Sequence, residues 1–147
     1  MYNILVTGDR FWIEYSVVYE ALAKAWDDFV KTSPAKSTRN ITVVHGAAKG
    51  ADTHAGFAAH KLGMGVRTYP ANWNKYKKGA GPIRNSLMLK ENKIDIVLAF
   101  HDHIKESKGT LDMVKKALEL RIPVRLHQSD GSHLMFWELP VFLDFIK

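Results

Sequence analysis

Residues 41–52, ITVVHGAAKGAD, run from a hydrophobic strand through a small-residue turn into the start of a helix. Ile41 to Val44 is a β-branched run suited to a short hydrophobic strand. His45 to Gly50 is a turn of small residues. Ala51 opens a helix that the pattern carries to about Leu62, with Ala55, Ala58, Ala59 and Leu62 inward and Gly63 near the C-cap. A strand that turns tightly into a helix aims free backbone N–H groups into the space above it. The helix dipole adds partial positive charge there, so an anion, usually a phosphate, suits the turn.

Working outward, Tyr2 to Thr7 is a first strand, with Ile4, Leu5 and Val6 as its buried run, ending in Gly8-Asp9-Arg10. Ile13 to Val30 follows as a helix, since Val17, Val18, Ala21, Leu22, Ala25, Trp26 and Phe29 recur at helical spacing. Lys31 to Asn40 is polar, carries Pro34 and reads as a loop. Downstream, Val66 to Tyr69 is a third strand stopped by Pro70. Ala71 to Pro82, with Trp73, Tyr76 and three lysines, is a long loop of the kind that is often functional. Pro82 suits the first turn of a helix running to about Asn92. Asp95 to Phe100 is a fourth strand, His101 to Lys108 a polar loop, Leu111 to Leu120 a helix and Ile122 to Leu126 a fifth strand. This alternation predicts an α/β fold: a doubly wound parallel sheet of about five strands with helices on both faces. Residues 127–147 are apolar enough to pack on the body or on a second subunit.

The 147 residues suit one domain with one substantial core. With 46% hydrophobic and 24% charged residues, disorder is not expected. The absence of cysteine excludes disulfides, thiolate metal sites and cysteine nucleophiles. No apolar run approaches the ~20 residues of a membrane helix. The N-terminus has no signal-peptide layout. A cytoplasmic protein with no membrane partner is the expectation. The net charge is +6, which suits either nucleic acid or an anionic small ligand. The basic residues are spread along the chain, with a short cluster at Lys75, Lys77 and Lys78.

Ligands of an open parallel sheet bind beyond the carboxyl ends of the strands. Those ends carry Gly8, Asp9 and Arg10; Gly46, Ala47, Lys49, Gly50 and Asp52; Trp73, Arg84 and Asn85; and Gly109 and Thr110. Backbone amides and Arg or Lys serve phosphate, and an aromatic serves a base. Arg84, expected in the first turn of its helix, is a cation at the unfavourable end of the dipole, which points to an anionic partner. Asp52 near a helix start also fits plain dipole compensation. His45, His54, His60, His101 and His103 lack metal-ligand spacing, so no metal is expected. No other cofactor is expected either. Gly-Lys-Ser/Thr of a Walker loop and the nucleophile elbow are both absent.

Five blocks in order resemble the SLOG superfamily, and most closely its YspA/YpsA-related branch. They are Val6-Thr7-Gly8-Asp9-Arg10 with Trp12; His45 to Asp52; Pro70-Ala71 with Trp73; Gly81 to Asn85 with Met88; and Lys108-Gly109-Thr110. The superfamily is Rossmann-like and includes the "Lonely guy" phosphoribohydrolases and the DNA-processing protein DprA. The resemblance implies a nucleotide or nucleotide-derived ligand on the strand-end rim. The hydrolases carry an arginine, matched by Arg84, and a Gly-Gly-x-Gly-Thr-x-x-Glu motif, whose Gly-Thr is matched by Gly109-Thr110. The motif's glutamate falls on Met113, with Asp112 one residue earlier. Methionine supplies no acid-base chemistry. The expectation is therefore a sensor or sequestering protein that binds a nucleotide. The alternatives are a nucleotide N-glycosidase using Arg84 with Asp112 or Asp52, and a DprA-like single-stranded DNA-binding module. A homo-oligomer is expected from the apolar tail.

Overall fold

The first strand, β1 (Tyr2–Gly8), lies at the centre and feeds two cores, because alternate side chains leave a strand on opposite faces. Ile4 and Val6 face one core and Leu5 the other, all without exposed surface. The computed structural model describes residues 1–32 and 37–147. After β1 come α1 (Tyr15–Thr32), β2 (Ile41–His45), α2 (Ala51–Leu62) and β3 (Gly65–Thr68). Then follow α3 (Trp73–Tyr76), α4 (Ala80–Glu91), β4 (Ile96–Phe100), α5 (Gly109–Glu119), β5 (Val124–His127), β6 (His133–Phe136) and α6 (Leu139–Phe145). Of the loop expected at 31–40, positions 33–36 lie outside the described residues.

The sheet order is β3-β2-β1-β4-β5-β6, parallel from β3 to β5. Helices α1 and α2 cover one face, whose core holds Leu22, Val43, Leu98 and Phe100. Helices α4, α5 and α6 cover the other, around Met88, Val97, Met113, Leu126 and Phe142. Chain progress reverses between β1 and β4, which makes the crevice above their ends the topological switch point. Helix α2 faces inward through Ala51, Ala55, Ala58 and Ala59. Such small side chains bury little area each, but they let the helix backbone come close to the sheet and to α1.

The Rossmann-like expectation stands, with six strands rather than about five. The sixth comes from the tail. A turn at Gln128–Ser132, closed by Gly131 N–H to Gln128 O (3.0 Å), returns β6 antiparallel onto β5. The tail packs on the body, with Phe136 and Phe142 buried and their rings edge-on at 5.2 Å. Element ends shift by one or two residues. Helix α4 begins at Ala80 rather than at Pro82, because the first turn needs no amide from a proline and tolerates it at the third position. Strand β5 begins after Pro123, which has no amide to donate to the ladder. The long loop at 71–82 holds α3, whose entry is capped by Asn72 Oδ1 accepting from Lys75 N–H at 3.1 Å.

Candidate functional site

The β2–α2 turn is the first wall of the site, and its amides are already engaged. Asp52 stands in the first turn of α2, 5% exposed, and folds its carboxylate back into the turn. Its Oδ2 accepts from Gly46 N–H at 3.0 Å and Ala48 N–H at 3.3 Å. Ala47 N–H donates to His45 Nδ1 at 2.9 Å. The place expected for a phosphate is thus occupied by the chain's own carboxylate. Burial pushes the Asp52 carboxyl up to about 6, against the pull of these amides and of Arg84. Burial, with Arg84 nearby, holds His45 below its ordinary value.

Arg84 crosses from α4 to this turn. Its Nη1 donates to Gly46 O at 2.6 Å and to Tyr69 O at 3.3 Å, and its Nε donates to Asn85 Oδ1 at 3.0 Å. Gly46 is glycine for this reason: a Cβ there would stand 2.0 Å from Nη1. Because α4 starts at Ala80, Arg84 is its fifth residue, not a member of the first turn. The dipole argument for an anionic partner is correspondingly weaker, since that effect fades beyond the first turn. Two carbonyls pin the guanidinium, while Nη2 makes no hydrogen bond among the described residues.

Asn85, 3% exposed, continues the chain of contacts. Its Nδ2 donates to Gly109 O at 3.3 Å and to Asp112 Oδ2 at 3.0 Å. Lys116 Nζ lies 2.9 Å from Asp112 and donates to Pro82 O at 2.9 Å. Gly46, Asp52, Arg84, Asn85, Gly109 and Asp112 therefore form one continuous polar network from β2 across α4 to the start of α5. Gly109 is open to solvent, with nothing within 4 Å of where a Cβ would be. Thr110 is buried, and its amide donates to Ser107 Oγ at 3.0 Å.

A second group sits at the switch point. Asp9 O accepts from Ala51 N–H at 3.1 Å, Asp9 N–H donates to Phe100 O at 2.9 Å, and Asp9 Oδ1 accepts from Phe11 N–H at 2.9 Å. Gly50 has φ +71, and a Cβ on it would strike Asp9 O at 2.4 Å, so only glycine joins the two turns here. Gly8 lies below, against Ala51 and Phe100. Trp12 is a core residue, its ring edge-on to Phe100 at 5.6 Å. The remaining expected residues make no side-chain hydrogen bond to either group, although Ala47 and Lys49 lie in the β2–α2 turn itself and the Arg10 backbone adjoins Gly50. Arg10 lies over the exposed Phe11 ring at 5.0 Å, and Ala47 and Lys49 face solvent. Trp73 is 59% exposed. A cleft of about 420 Å³ opens beside it along Pro70–Asn74. Another of about 290 Å³ lies between residues 101–106 and the tail. Neither is lined by Arg84.

Met113, at the position of the hydrolases' glutamate, has no exposed surface and packs with Val114, Leu118 and Met88. The other expected acid-base groups are committed, Asp112 to Lys116 and Asn85, and Asp52 to the turn. Sequence reasoning missed Tyr69, Ser107 and Lys116. Tyr69 acts through its carbonyl, which no sequence pattern reveals. Ser107 could have been found as the serine three residues before a helix amide.

No solved structure matches the chain. The chain is similar to the Gene 61 protein of Mycobacterium phage D29, with 33% identity over 129 residues that span 84% of this chain and 94% of the relative. The YAcAr family, described as the YspA, cpYpsA-related SLOG family, matches residues 2–76, half of the chain. The chain belongs to this SLOG family.

Proposed function

We propose that the chain binds a nucleotide or nucleotide-derived ligand at the rim between the β2–α2 turn and the start of α5, and holds it without cleaving it. The observation that carries this reading is Arg84. It is half-buried and fixed by two carbonyls, and it keeps one guanidinium edge free between two turns. An arginine positioned in advance binds phosphate with little ordering cost. A phosphate meets that edge and the open Gly109 backbone, and Lys49 and Arg10 add charge from the rim. Trp73 supplies a face for the base. Membership of a nucleotide-related family supports the ligand class. Three facts argue against cleavage: a core methionine at the glutamate position, an ion-paired Asp112 and a buried Asp52.

The test is a thermal-shift panel of nucleotides and nucleotide second messengers, followed by chromatography for released base. Binding alone gives a raised melting temperature with the ligand intact. Free base in the supernatant overturns the binding-only reading. Arg84→Lys, which keeps the charge but loses the fork, is expected to abolish the shift.

A further inference from the structure

Charge that looks spread out along the chain is one-sided in the fold. Between Thr53 and Lys90 stand seven of the Lys and Arg residues and no Asp or Glu. The remainder of the chain carries fourteen basic and fifteen acidic residues. Most of the positive excess therefore belongs to the end of the molecule built from α2, β3, α3 and α4, which keeps +5 with Asp52 and Glu91 included, and where β3 is the sheet's edge strand and all four of its residues are exposed.

On that end α3 presents two large rings. Trp73 is 59% exposed and Tyr76 is 39% exposed, three residues apart on one helical turn and so on the same side. Trp73 leans over the buried Gly81, where even a Cβ would lie 3.7 Å from its ring edge, while most of its surface stays in water. Lys75 Nζ stands 5.0 Å from the Tyr76 ring centre. Lys77 and Lys78 follow, both exposed, and Lys77 holds φ +53, a backbone state that a lysine adopts only under strain. The cleft along Pro70–Asn74 runs beside the Trp73 ring.

Exposed rings on one turn, interleaved with cations and beside an open cleft, are what a single nucleic-acid strand recognises: bases stack on the rings and phosphates meet the lysines. We propose that the Trp73–Lys78 segment binds single-stranded nucleic acid, with bases stacked on Trp73 and Tyr76 and the backbone on Lys75, Lys77 and Lys78. The proposal shares Trp73 with the nucleotide reading but does not use Arg84.

Fluorescence anisotropy with labelled dT20, U20 and a 20-base-pair duplex tests it. Both single strands are expected to bind at 50 mM salt and to weaken roughly twentyfold by 200 mM, as about three phosphate contacts dictate. Trp73→Ala is expected to weaken dT20 roughly 5- to 100-fold, with much of the loss restored by Trp73→Phe. Replacing the three lysines by glutamine is expected to flatten the salt dependence. Absence of dT20 binding at 50 mM salt, equal or tighter binding of the duplex, or unchanged binding by Trp73→Ala overturns the proposal. Arg84→Lys separates the two readings. Loss of the mononucleotide shift with dT20 binding retained supports two functions. Loss of dT20 binding as well overturns the separate strand surface.

Discussion

Gly46 and Arg84 are one device made from two residues. The turn can hold the guanidinium 2.6 Å from its carbonyl only because residue 46 has no side chain. Gly46→Ala is expected to expel the guanidinium, which is the flexible partner, and leave the β2–α2 connection intact. The free protein then loses about 1–3 kcal/mol through unpaired carbonyls. Ligand-induced stabilisation should vanish while the far-ultraviolet circular dichroism stays native. A retained thermal shift in this variant would remove Arg84 from the binding site.

At the scale of elements, the β2–α2 turn is an anion turn supplied with its own anion. Asp52 titrates near 6 in the fold against an ordinary 3.8, because burial disfavours its charge. The fold therefore prefers the protonated form. Its contribution to stability is present below about pH 4 and is lost as the pH rises through about 6. Asn at position 52 can accept the same two amide bonds without charging. The stability of Asp52→Asn relative to the parent should therefore increase by up to about 3 kcal/mol between pH 4 and 7. Urea unfolding at four pH values measures it, and a flat difference contradicts it. Strands β1, β2 and β4 are legible in sequence because each is an apolar run ended by glycine or a polar turn, whereas β3, exposed throughout, is marked by the Pro70 that stops it. Strand β6 is not legible, since His133 and Leu134 are exposed and the strand exists through its pairing with β5. The site is legible only in part. Gly46, Arg84, Asn85 and Gly109 announce themselves as turn and cation residues. The partners that fix Arg84 are backbone carbonyls 38 and 15 residues away, and Asp52 is held in the turn by the backbone amides of Gly46 and Ala48.

At the scale of the whole molecule, the two ends of the sheet differ. The β3 end is basic and bare, whereas the β6 end carries the tail, with α6 packed on one face of the sheet and Trp137, Val141 and Phe145 exposed at 64%, 55% and 45%. Exposed apolar residues on α6 and on the link that leads into it favour self-association. Light scattering of the parent is expected to show an oligomer, and Trp137→Ser with Val141→Ser is expected to shift it to monomer. Removing 127–147 is the poorer experiment, because it uncovers Val124 and Leu126. A monomeric parent would refute the oligomer. The network from Asp52 through Arg84 to Asp112 ties together three segments far apart in the chain. It follows that positions 46 and 84 are not free to drift separately. A side chain at 46 costs Arg84 its seat on the turn, and loss of the arginine releases 46 from being glycine.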